Sequence, residues 1–276
     1  MQRDSTAAPL RIDGGRGGSI ADQVFRTLRS SRIVAAVVAG SILFGAALTW
    51  YVASVWDKMP AADREHVAIS SIEELTLSVN QLCFAVLGIL AMTSEFKTGL
   101  IRSTIAATPA RGKVLAAKAI VISVCALVVG TATSLVTYYV CDAVIGDRPI
   151  RFYDQPVDLA ALLTAGPSTV MFALIGLGLG TALRSAAGSI AAVVAAWYVL
   201  PMVALNLPAP WNARVGAVLL TRLDPQLAGV DLAAKYGSTD MPGQFLSPAG
   251  AAAVMAAYIL AALLPALLTL RRRDIR

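Results

Sequence analysis

Six uncharged apolar stretches, each long enough to cross a lipid bilayer, constrain this chain more than any other feature. They run over Ile33–Val55, Leu75–Ser94, Ala119–Cys141, Leu159–Leu183, Ala186–Leu207 and Ala249–Leu270, and none contains Asp, Glu, Lys or Arg. A hydrocarbon core of about 30 Å is covered by about 20 apolar residues in a helix. One charged residue at mid-span costs roughly 2.5–3.5 kcal/mol on insertion scales. The pattern predicts an all-α polytopic membrane protein with six transmembrane helices in a domain spanning residues 33–270.

The loops carry the charge, and they carry it unevenly. The amino terminus, the 95–118 loop, Arg184 and the carboxyl tail together hold net +11, and the three alternate loops hold net −5. Positive loops stay inside, so both termini are expected in the cytoplasm and the chain in the cell membrane. The basic balance of +6 does not point to nucleic acid. Arg26, Arg29, Arg32 and Arg271 to Arg273 flank spans, where anionic headgroups of the lipid bilayer attract them by about 1 kcal/mol each.

Residues 1–19 hold Gly14-Gly15-Arg16-Gly17-Gly18 and no apolar core. They read as a disordered cytoplasmic tail rather than a signal peptide. Residues 20–32 place Ile20, Val24, Phe25 and Leu28 on one helical face and Asp22, Arg26, Arg29 and Arg32 on the other, which predicts an amphipathic interfacial helix. Residues 271–276 form a basic cytoplasmic tail. The longest outer loop, 208–247, is proline-rich. Its apolar run Val215–Leu220, between Arg214 and Arg222, is too short to span and predicts a short helix dipping into or lying on the outer leaflet.

Chemistry is sparse. Cys83, Cys125 and Cys141 show no zinc or disulfide spacing, and the sole histidine, His66, lies in an outer loop. The spans offer no carboxylates or histidines of the kind that mark proton relays and ion pathways. Their polar groups are Asn80, Gln81, Asn206 and scattered hydroxyls, which fit either a substrate path or hydrogen bonds between helices. The phosphate-cradling Gly-x4-Gly-Lys-Ser/Thr loop is missing, so any ATP belongs to another chain. Gly176 and Gly180 form a small-xxx-small pair, expected at a helix contact within the bundle or between two copies. Pro167, Pro201 and Pro265 lie inside spans and favour kinks.

The segment between spans two and three holds the most specific pattern. Glu95-Phe96 ends the second span. Lys97, Thr98-Gly99 and Leu100-Ile101-Arg102 open a short helix that Thr108-Pro109 should stop. Pro109-x-Arg111 and Lys113-Val114-Leu115-x-x-Lys118 lead into the third span. This run resembles the intracellular loop of ABC-2 type permeases, the membrane subunits of ATP-binding-cassette exporters, and Arg272-Arg273-Asp274 resembles their usual ending. About 25 positions carry the residue likeness, and topology carries it over the whole chain.

The resemblance implies an ABC-2 or type V exporter-like fold, a second membrane subunit (identical or related), and a separate ABC ATPase subunit that binds ATP and Mg. The chain itself would hold no cofactor and catalyse nothing. Glu95, Phe96, Lys97, Thr98, Gly99, Arg102, Pro109, Arg111 and Lys113 would couple it to that ATPase, with Glu95 anchoring a charge pair or capping the loop helix. Two other classes remain open on the residues: a membrane anchor or assembly protein that transports nothing, and an integral-membrane enzyme.

Overall fold

The computed structural model describes residues 31–60, 72–98, 111–146, 159–208, 210–229 and 245–272. All regular structure among these residues is helical. The helices are α1 (Ser31–Lys58), α2 (Ile72–Thr98), α3 (Arg111–Ile145), α4 (Leu159–Leu183), α5 (Ala186–Val194), α6 (Leu200–Leu205), α7 (Trp211–Ala217), α8 (Leu223–Leu227) and α9 (Pro248–Arg272). A π-helical turn, Ala195–Val199, joins α5 to α6 into one continuous rod. Among the described residues, six helical segments are long and apolar enough to cross a membrane: α1, α2, α3, α4, the α5–α6 rod and α9.

α4 occupies the centre and coincides with the expected span, because its two faces are built for close approach. A Cβ on Gly176 would collide with the Ala85 carbonyl of α2, and one on Gly180 would lie 2.9 Å from the Ile89 carbonyl. On the other side, a Cβ on Gly178 would strike Ala262 of α9. The Gly176/Gly180 pair therefore packs helices within the chain and is not free to receive a second copy.

α3 begins eight residues before the expected span. Val114 and Leu115 are buried, and Lys118 lies on the same side three and four residues on. Residues 111–118 are thus the first two turns of the helix rather than a connection to it. At about 1.5 Å per residue α3 is about 52 Å long, well beyond a hydrocarbon core.

The prolines behave differently from one another. α4 and α9 run through Pro167 and Pro265 without interruption. Only Pro201 coincides with a change of hydrogen bonding. The Leu200 N–H reaches back five residues to the Ala195 carbonyl, which widens the turn below the proline ring. Removing a donor and adding ring bulk is a common origin of such π-turns.

The expected outer helix at Val215–Leu220 is replaced by two short helices, α7 and α8, around a 3₁₀ turn at Leu220–Arg222. Ala217, Leu219, Leu220 and Leu223 are buried in protein. Leu220 and Leu223 join the core cluster of Ala85, Phe172, Trp197 and Met255, so this apolar run seals one end of the bundle rather than lying on a lipid surface. Gln226 fixes the cap: its Nε2 donates to the Ala217 carbonyl at 2.9 Å, and its Oε1 accepts from the Leu246 N–H at 2.7 Å. The Tyr258 hydroxyl of α9 donates to the Val218 carbonyl at 3.0 Å.

The tail 1–19, most of the amphipathic segment 20–32, the loop helix after Gly99 and the end of the tail 271–276 lie outside the described residues.

Candidate functional site: a buried ion pair between two helices

α2 and α3 run antiparallel, so the end of one lies beside the start of the other. Glu95 sits four positions into the last turns of α2, and Lys118 sits two turns into α3. Lys118 Nζ lies 2.6 Å from Glu95 Oε1. It also donates to the Ala91 carbonyl at 2.9 Å and to Met92 Sδ at 3.4 Å. The ammonium thus directs its donors onto α2 alone. Lys118 is 3% exposed, and the Glu95 side chain is 25% exposed. A cation at the carbonyl end of a helix is also favoured by the helix dipole. Leu115 and Ile122, three residues before and four residues after Lys118 on α3, belong to a buried cluster with Met92, Phe84, Leu174 and Leu270.

Phe96 packs against the same cluster. Its ring receives the Arg184 guanidinium, 5.1 Å from the centroid. Arg184 forms the turn between α4 and α5 with φ of 54°, a left-handed conformation unusual for a residue with a Cβ. Ser185 caps α5 by accepting from the Gly188 N–H at 3.2 Å. At the same end, Gly112 of α3 approaches Leu267 of α9. The ends of α2, α4 and α9 and the starts of α3 and α5 therefore lie at one end of the bundle.

Of the residues expected to couple, Glu95 and Phe96 meet here. Lys97 and Thr98 complete α2, and Arg111 and Lys113 open α3, but their side chains lie outside the described residues. So do Gly99, Arg102 and Pro109. Within the chain, Glu95 pairs with Lys118. Lys118 as its partner, and Arg184 beside Phe96, were missed by the sequence reading. A signal for Lys118 was present: the uncharged stretches stop at Ser94 and resume at Ala119, which places Glu95 and Lys118 at equal depth on neighbouring antiparallel helices.

The three polar residues of the spans do not assemble into one path. The Gln81 amide donates to the Ser168 hydroxyl of α4, binding α2 to α4. Gln81 also lines a cavity of about 270 Å³ at the opposite end of the bundle, under α7 and α8, with Ser78, Trp197, Asn212 and Arg222. Trp197, in the π turn, packs on Phe172 with ring centroids 4.5 Å apart. Asn80, fully buried, sits one residue away around the helix. Asn206 is exposed and donates to its own helix, to the Met202 carbonyl at 2.7 Å.

The three cysteines are free thiols, with Cys141 Sγ 2.9 Å from Thr49 Oγ1. Among the described residues no group of His, Cys, Asp and Glu is arranged to hold a metal. Compared with known proteins, the chain matches no family model and no curated sequence.

Proposed function

We propose that this chain is the membrane-spanning permease subunit of an ABC-2 type exporter, which moves a substrate outward across the cell membrane. ATP and Mg act on a separate ATPase subunit, and a second membrane subunit completes the transporter. Both termini face the cytoplasm, and the Glu95–Lys118 end is the cytoplasmic end.

The observation that carries this reading is the Glu95–Lys118 bridge. It fastens α2 to α3 at the two points where the chain leaves and rejoins the bundle around residues 99–110. A push on that loop is then delivered to both helices together rather than absorbed between them. The glycine contacts of α2 with α4 give the motion a rigid path into the centre. The cavity beside Gln81 at the other end offers a place for cargo on its way out.

The test is co-purification of the full chain, in mild detergent, with the ATPase encoded beside it. A stable complex supports the permease reading. Recovery of the chain without any ATPase from every extract favours a membrane anchor instead.

A further inference from the structure

Small side chains keep the cavity of about 270 Å³ under α7 and α8 open. Ala213, Gly216 and Ala217 line it from α7, at helical spacings of three and four, and Ala204 lines it from α6. A Cβ added at Gly216 would meet no atom within 4 Å, whereas one at Gly176, Gly178 or Gly180 would strike a neighbouring helix. The other side of α7 is turned outward, with Trp211 and Arg214 exposed and the guanidinium 5.7 Å from the indole centroid. Protein interiors are otherwise close-packed, so a wall of alanine and glycine here maintains a space that one leucine would fill.

The remaining lining sorts into two kinds of chemistry. Leu77, Trp197, Pro201, Leu219 and Phe245 supply apolar and aromatic surface. Ser78 and Gln81, one turn apart on α2, supply hydrogen bonds together with Asn212 and Thr221. Gln81 is 4% exposed and its Nε2 is committed to Ser168, so its Oε1 is the atom it has to offer a guest as an acceptor. The two hydroxyls can donate or accept. Arg222 and Asp224 also line the cavity. Being one cation and one anion, they leave the wall with no net charge.

We infer that this cavity binds a small uncharged molecule with an aromatic ring and a hydrogen-bond donor such as an amide. The ring lies against Trp197 and Leu77, and the donor reaches Gln81 Oε1. Ligand sites are mostly apolar with a few placed polar groups, and they run from about 300 to 1,000 Å³. This one is at the small end, which suits one ring and its substituent rather than a peptide or a lipid tail. A net ionic guest would lose its hydration without a net counter-charge in the wall. As a statement of cargo class this rests on the permease reading. As a binding site it does not, and binding is read on this chain alone, so its failure would leave the ATPase complex standing.

The test uses para-bromobenzamide, whose bromine quenches tryptophan fluorescence, titrated into the full chain in detergent. Saturable quenching is expected in the parent chain and should be lost in Gly216→Leu, which fills the cavity. That variant should melt no lower than the parent, since leucine meets open space and favours the helix more than glycine does. Gln81→Met, which removes the acceptor, should weaken binding by about tenfold. Quenching that never saturates, or that survives Gly216→Leu unchanged, means that the probe dissolves in detergent and overturns the inference. Equal or tighter binding of para-bromobenzoate overturns the uncharged class. Anomalous scattering from bromine in crystals of the parent chain gives a readout that needs no variant: a peak beside Trp197 is expected, and a cavity without bromine at saturating probe contradicts the proposal.

Discussion

Lys118 and Glu95 are 23 positions apart in sequence and 2.6 Å apart in space, and Lys118 is the more deeply buried of the two. A lysine that close to the apolar interior is tolerated because α2 surrounds it with a carboxylate, a carbonyl and a thioether. The pair is therefore a joint between helices whose strength depends on both members.

Removing one member strands the other. Lys118→Met should destabilise the chain by about 3 kcal/mol, the lower end for a broken buried pair, because Glu95 keeps some solvent contact. In thermal unfolding this reads as a drop of roughly 6–12 °C for a chain of this size. The double variant Glu95→Gln/Lys118→Met leaves no uncompensated charge and should lose less than the two single variants added together.

The glycines divide into those that touch a backbone and those that do not. Gly180→Val should force α4 away from Ile89, an overpacking cost of about 1–3 kcal/mol, seen as lower yield of monodisperse protein and a lower melting temperature. Gly40 has no atom within 4 Å of an added Cβ. Gly40→Ala should be neutral or stabilising by up to about 1 kcal/mol.

Arg184 holds a left-handed conformation and also covers Phe96. Arg184→Gly loses the ring contact but relieves the backbone, whereas Arg184→Ala loses the contact and keeps the strain. The glycine variant should be the more stable by about 1 kcal/mol, measured by thermal unfolding of the two side by side.

The cap over the Gln81 cavity leans on Trp197. Trp197→Ala removes a 6%-exposed indole from between Phe172 and the cavity and should cost about 3–5 kcal/mol. Trp211→Ala, at a residue 56% exposed on α7, should change stability by less than about 0.5 kcal/mol. Comparable losses at both sites would mean that the cap is not fastened at the π turn.

Much of this bundle was legible in the sequence because desolvation acts on composition. The α4 limits follow from uninterrupted apolar residues bounded by Asp158 and Arg184, and Gly176 and Gly180 announced a close helix contact. The start of α3 was not legible in the same way. Lys113 and Lys118 look like a solvated flank until a partner on α2 accepts the Lys118 charge, and that partner is a tertiary fact. Pro201 differs from Pro167 and Pro265 only through its surroundings, so one proline widens its helix while the other two leave theirs intact. The outer run Val215–Leu220 showed apolar character but not its target, since lipid and the Phe172–Trp197 core both bury leucine.

The most direct measurement is the ATP hydrolysis rate of the associated ATPase with the parent chain, with Lys118→Met, with Glu95→Gln, and without the membrane subunit. The account predicts that the parent chain changes the rate and that both variants, still inserted and still bound, lose that effect. A rate indifferent to the chain and to both substitutions would contradict it.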